Sequence, residues 1–269
     1  MSSFLCVIFK VRIHMKEGVT MQRYFVDQIA DNNRFTILGD DYHHIVRVMR
    51  MKEGDQIICV TPSNKSAVCS IAEITDEHVI TEVVQWVSGT SELPIEVSIV
   101  SGLPKGDKLE WIIQKGTELG AYQFIPFISA RSVVKWDEKK AEKKLDRWQK
   151  IAKEAAEQSH RTKLPVVKSP LDLKSLINIG EDFDYKLIAF EEEAKQGEAS
   201  VLSKTLAEMK KGQTLLFVFG PEGGLTEQEV FRLRENGFRS CGLGPRILRT
   251  ETAPLYVLSA VSYHFELME

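Results

Sequence analysis

The chain has 269 residues, of which 43% are hydrophobic and 27% charged, and its formal net charge is −3. This is globular composition with length enough for a sizeable core, not a disordered chain. The charge excludes a histone-like polybasic protein, and no apolar run approaches the roughly 20 residues that span a bilayer.

Residues 1–20 read as an extension outside the fold. Their apolar run, residues 4–9, is followed by Lys10 and Arg12. A secretory signal needs positive charge before such a run and a small-residue cleavage site after it. Residues 21–26 then read as a first strand. Alternating segments at 34–37, 56–60 and 79–84, separated by turn residues, predict a small β-barrel domain over residues 21–92. One helix is expected over 42–51, with Asp40 or Asp41 as its cap. Residues 88–94 read as a linker.

From residue 93 to residue 269 the pattern changes to strands alternating with helices. Strands are expected at 97–100, 124–127, 186–190 and 215–219. Helices are expected from Asp107 to Gly120, then over 137–161, 226–236 and 252–267. This alternation predicts an α/β domain with a mostly parallel sheet. The last helix is apolar nearly all round, so it must be covered on more than one side. A fully internal helix and a dimer interface both satisfy that requirement.

Cys6, Cys59, Cys69 and Cys241 form no C-x-x-C, and the histidines show no metal-ligand spacing. The expectation is reduced thiols in a cytoplasmic protein without a metal. Charge is uneven: residues 129–170 carry 12 Lys or Arg against 6 Asp or Glu, and residues 21–92 carry 6 against 11. The basic stretch fits a solvated helix face with i,i+4 pairs, or a surface that tracks phosphates.

Two loops near the C-terminus concentrate the polar chemistry. In the first, an apolar strand runs into Gly220-Pro221-Glu222-Gly223-Gly224 and then a helix opened by Thr226. Three glycines exceed the needs of a turn, and they let backbone approach a ligand beyond a strand end. The second, residues 241–254, joins a short strand to the last helix and brings Arg246, Arg249 and Glu251 together. A G-x-G-x-x-G fingerprint is absent. Residues 102–108 lack the spacing and the Ser or Thr of a P-loop.

These motifs, with Arg23-Tyr24-Phe25, residues 43–50, Lys105-Gly106-Asp107-Lys108, residues 115–120, Arg131-Ser132-Val133 and residues 155–161, occur in one family's order. The sequence resembles the RsmE-type bacterial 16S rRNA uracil-N3 methyltransferases of the SPOUT superfamily, from Met21 to about Glu266. The resemblance implies a PUA-like β-barrel followed by an α/β-knot (trefoil) domain, a homodimer through that domain, and S-adenosyl-L-methionine as cofactor. A knot is too rare to be read from the elements alone.

The resemblance also implies a cofactor site made of Gly220, Pro221, Glu222, Gly223, Leu243, Gly244, Ile247, Leu248, Arg249, Thr252 and Ala253. Backbone at Leu243, Ile247 and Leu248 would read the adenine. Glu251 is the candidate proton acceptor and Arg249 the candidate stabiliser of charge on the uracil oxygens. Pairing with Arg246, or capping of the last helix, is the structural alternative for Glu251. Arg23, Arg47, Arg50, Lys105, Lys108, Lys115, Arg131 and Arg161 are the candidate contacts to 16S rRNA in the 30S subunit, with base stacking on Tyr24. Rival readings are a non-catalytic rRNA-binding module and a SPOUT enzyme acting on another RNA. A nucleotide hydrolase is disfavoured for want of a phosphate loop.

Overall fold

The structure is a computed structural model that describes residues 21–27, 33–133, 136–137, 141–190 and 200–268. The proposed extension, residues 1–20, lies outside the described residues. The chain divides between Ser91 and Glu92 into two compact units.

The first unit holds one five-stranded sheet of β1 (Arg23–Phe25), β2 (Arg34–Ile37), β3 (Gln56–Val60), β4 (Ser66–Ile74) and β5 (Val79–Val87). The order is β1-β3-β4-β5-β2, with β1 parallel to β3 and the other pairs antiparallel. Period-two alternation drives it. Phe35 and Ile37, Ile57 and Cys59, and Ala67, Cys69 and Ile71 all enter one core with Tyr24 and Ile45. The small residues that open β4 hide it from hydropathy, although it is the central strand.

The helix expected over 42–51 starts earlier and is divided. Helix α1 (Gly39–His43) passes into a π-helical turn, His44–Val48. Asp40 and Asp41 sit in the first turn of α1, not at its cap, which is Leu38. The turn sends Ile45 into the core and leaves Arg47, Val48, Met49 and Arg50 exposed.

The second unit is a six-stranded parallel sheet. Its strands are β6 (Glu96–Gly102), β7 (Gln123–Phe127), β8 (Val166–Val167), β9 (Tyr185–Ala189), β10 (Thr214–Phe219) and β11 (Arg239–Cys241). They lie in the order β11-β9-β10-β6-β7-β8, and every pairing is parallel. The central strands are apolar without a break because both faces are covered. Along β10, Leu215, Phe217 and Phe219 point into one core, and Leu216 and Val218 into another.

The first of these cores takes α2 (Lys108–Glu118), α3 (Ala141–Gln158), α5 (Ser200–Glu208) and α7 (Thr252–Ser262). The second takes α4 (Leu173–Gly180) and α6 (Glu227–Glu235). Helices α4 and α5 were not among the predicted elements. The start expected for α3 at residue 137 borders residues 138–140, which lie outside the described residues. Helix α6 opens on a complete capping box, in which Thr226 Oγ1 accepts from the Glu229 N–H and Glu229 accepts from the Thr226 N–H.

Helix α7 resolves its all-round hydrophobicity unevenly. Pro254, Val257, Leu258 and Val261 are buried, and Phe265 follows them inward from a π-helical turn, Tyr263–Leu267. Tyr256, Tyr263 and Leu267 face outward, at 41%, 58% and 59% exposure. The helix is therefore not fully internal to this chain.

Candidate active site

A parallel sheet places all its strand C-termini on one edge, where ligands of open α/β sheets bind. A cavity of about 400 Å³ lies there, beyond the ends of β7, β9, β10 and β11. Its walls include Arg131 after β7, Phe190 after β9, residues 219–225 after β10, and Leu243, Gly244, Arg246, Ile247, Leu248, Thr250 and Ala253 after β11. Small-molecule sites span roughly 300–1,000 Å³, so the cavity is of cofactor size.

The structure thus brings together Gly220, Pro221, Glu222, Gly223, Leu243, Gly244, Ile247, Leu248 and Ala253 of the expected cofactor set. Arg249 and Thr252 do not line the cavity. Lining residues outside that set include Phe190, Glu227 and Arg246. Phe190 comes from a strand end that carries no motif of its own, and Glu227 from the helix start that follows the first motif loop.

Backbone packing explains the glycines. A Cβ on Gly220 would lie 2.8 Å from the Gly224 carbonyl carbon and the Leu225 nitrogen. One on Gly102, at the end of β6, would lie 2.5 Å from the Pro221 nitrogen. The first glycine-rich loop therefore folds tightly on itself and against β6. Gly224 and Gly244 also adopt positive φ, 71° and 90°.

Two devices hold that loop from outside. Arg131 Nη1 donates to the carbonyls of Gly223 (2.9 Å) and Leu225 (3.3 Å). Glu229, buried at the start of α6, accepts from the Ala130 N–H at 2.8 Å as well as from Thr226. One carboxylate thus closes the capping box and draws in the loop that carries Arg131.

The charged groups form a chain. Lys108 Nζ lies 2.8 Å from Glu222 Oε1 and 3.7 Å from Glu251 Oε2. The Lys105 N–H donates to the same Glu222 oxygen at 3.0 Å. Burial pushes the Glu222 carboxyl up, but the hydrogen bonds from Lys108 and the backbone outweigh it and hold it below its ordinary value. Its hydrogen bond to Glu222 raises the Lys108 ammonium in turn. A depressed carboxylate stabilises the fold above its unfolded-state pKa and loses that contribution as pH falls through the native value. Lower amide protection at residues 220–224 on acidification, after allowance for the slower intrinsic exchange at low pH, is the expected result.

Glu251 has neither of the structural roles open to it from sequence. It is the N-cap residue of α7, yet its side chain makes no capping hydrogen bond. Its ion-pair partner among the described residues is Lys108, not Arg246. Its Oε2 is buried and accepts no hydrogen bond among the described residues. A buried acceptor left open costs about 1–3 kcal/mol, so this oxygen is set up to receive a donor. Arg249 is exposed and near enough for its charge to act on Lys108.

The eight expected RNA contacts separate. Arg47 and Arg50 are exposed, with no acidic partner among the described residues, and Lys105 is exposed. Lys115 pairs with Glu118. Lys108 and Arg131 are engaged at the cavity as above.

Three expectations are corrected. Arg161 is buried: its side chain, 3% exposed, pairs with Glu92 and donates through Nη1 to the carbonyls of Thr117 (3.2 Å) and Ala121 (2.6 Å). Arg23 is buried against Ser66, and Tyr24 is buried with its hydroxyl 2.9 Å from His44 Nδ1. Both arginines and the Tyr24 ring are buried rather than presented at the surface.

The sequence pattern of the RNA methyltransferase domain matches residues 91–262, and that of the RNA methyltransferase PUA domain matches residues 37–84. The chain is 57% identical over 252 residues to ribosomal RNA small subunit methyltransferase E of Bacillus subtilis, covering 92% of this chain and 98% of that one. This chain belongs to the ribosomal RNA small subunit methyltransferase E family. The solved family enzyme from Neisseria gonorrhoeae, bound to S-adenosyl methionine, is 26% identical with a TM-score of 0.77, over 90% of this chain and 97% of that one. A second solved structure, described as a hypothetical protein, is 54% identical with a TM-score of 0.86, over 92% and 100%.

The chain is accordingly an RNA methyltransferase with a PUA-like unit and a parallel-sheet catalytic unit. Among the described residues no helix is long and apolar enough to cross a membrane, and no three His, Cys, Asp or Glu side chains group as metal ligands.

Proposed function

We propose that this chain transfers the methyl group of S-adenosyl-L-methionine to N3 of a uracil in 16S rRNA of the 30S subunit, in the cytoplasm. The observation that carries this reading is the cavity framed by the two motif loops, in a chain 57% identical to the Bacillus subtilis enzyme. The lining suits the cofactor. Exposed loop backbone can hydrogen-bond an adenine, apolar Phe190, Leu243, Ile247 and Ala253 can pack on it, and Glu222 and Glu227 suit an ammonium. We take the loops at 220–224 and 243–250 to be the strands of the family's trefoil.

When bound, S-adenosyl-L-methionine supplies the electrophilic methyl group. The protein must expose and orient the base, because N3 lies on its pairing edge. Glu251 takes the N3 proton, and Arg249 stabilises the negative charge left on the uracil oxygens. N3 would gain the methyl as its proton passes to the carboxylate, and the electron pair of the broken carbon–sulfur bond would leave on the thioether sulfur of S-adenosyl-L-homocysteine.

Mass spectrometry of 16S rRNA from a strain lacking the protein tests the reading. Loss of one N3-methyluridine, restored by this chain, is expected; an unchanged nucleotide map refutes it. A non-catalytic rRNA-binding module has no need of the cofactor, so titration calorimetry separates that alternative. In the same calorimetry Gly220→Ala should weaken cofactor binding at least tenfold, about 1.4 kcal/mol, because its Cβ meets backbone.

Arg47 and Arg50 are the strongest candidates for rRNA phosphates. Charge reversal at both should lower RNA affinity and reduce the salt slope by about 2. The outward stripe of Tyr256, Tyr263 and Leu267 supports a homodimer. Tyr263→Asp should shift the sedimentation coefficient to that of a monomer; an unchanged value removes this stripe from the interface.

A further inference from the structure

We propose that Lys108 is a positioning residue for methyl transfer, tying Glu222 and Glu251 from the two cavity loops into one bridge. It is not a contact to RNA phosphate. The inference rests on the reading of Glu251 as proton acceptor.

Three observations carry it. Lys108 Nζ is fixed at 2.8 Å on Glu222 Oε1, and that same oxygen is held by the Lys105 N–H. The ammonium therefore has a set place at the start of α2 and does not roam in solvent. From that place it stands 3.7 Å from Glu251 Oε2, near enough for attraction and beyond a good hydrogen bond. Finally, that oxygen is buried and accepts no hydrogen bond among the described residues, so the carboxylate has no other tether on that side.

The arrangement suits a group that must accept a proton. A lysine bonded directly to Glu251 would compete with the incoming donor. Anchored on Glu222, it holds Glu251 in place by charge and leaves the oxygen open. Once Glu251 takes the proton, its attraction to Lys108 is lost, but Lys108 keeps Glu222 as its counter-ion. No buried charge is stranded by the transfer. Glu222 thus acts as the fixed end of the bridge, which accounts for a carboxylate in an otherwise neutral loop.

The test compares Lys108→Met, Glu222→Gln, the double variant and Lys108→Arg. Four measurements are needed: single-turnover methyl transfer at saturating cofactor and RNA, amide exchange at residues 249–252, RNA affinity against salt, and thermal unfolding. Each single variant should slow transfer about tenfold, and the double variant should be no slower than the slower single one. Lys108→Arg should recover most of the rate. Exchange at 249–252 should rise in Lys108→Met without a matching loss of thermal stability, and the salt slope of RNA binding should not change. Additive rate effects overturn the proposal. So does unchanged transfer at saturation with a salt slope lower by about 1, since that is the behaviour of a phosphate contact. If the unaltered chain methylates no rRNA, the functional reading fails, and the exchange data still decide whether Lys108 orders the second loop.

Discussion

Glu251→Gln should lower single-turnover methyl transfer by about 10²–10⁴-fold, the span typical of a lost general base, and leave cofactor and RNA affinities near those of the unaltered chain. The amide keeps the shape of the carboxylate but cannot take the N3 proton. The expectation is sharp because the structural alternatives have been removed. Among the described residues the side chain neither caps α7 nor pairs with Arg246, and its buried Oε2 accepts no hydrogen bond. A merely structural Glu251 would instead show its loss in unfolding, with transfer at saturation intact. Near-normal transfer by the variant would take Glu251 out of the reaction.

Arg161→Met should destabilise the catalytic unit by about 3–5 kcal/mol in urea unfolding, the cost of breaking a buried ion pair by removing one partner. The substitution takes the guanidinium away from the Glu92 carboxylate, which keeps the N–H groups of Thr162 (2.8 Å) and Lys163 (3.0 Å). It also strips the Thr117 and Ala121 carbonyls of a buried donor. At temperatures where the variant is folded, RNA affinity should be unaltered. Loss of RNA affinity without loss of stability would restore Arg161 as a phosphate contact.

These two residues mark the boundary of what could be read from the chain alone. The central strands of the parallel sheet are legible because they are unbroken apolar runs, and the first cavity loop because it follows such a run with glycines; β8, two residues long, and the polar β11 give no such signal. Helix α6 is legible from its Thr226 cap, to which the structure adds Glu229 as the other half of a capping box. Arg161 was misread because a basic residue ending a charged helix looks the same in sequence whether it turns outward or inward. Only its distance from Glu92, 69 residues away in the chain, decides. The placing of Lys108 is closed to sequence for a similar reason, since its partners are 114 and 143 residues distant. The two-part helix 39–48 was blurred because a π-turn breaks the 3.6 period on which such readings rest. Phe190 joins the cavity through topology alone.

The double duty of Glu229 has a mechanical consequence. Because a single carboxylate grips both the Ala130 amide and the first turn of α6, those segments form a stiff jaw that must move as a unit. Among the described residues no carboxylate braces the facing segment, residues 243–250, in this way, and Ile247 at its crest is 80% exposed. Admission and discharge of a nucleoside should therefore proceed by flexing of this second jaw, with its amides relaxing faster than those of the first in solution.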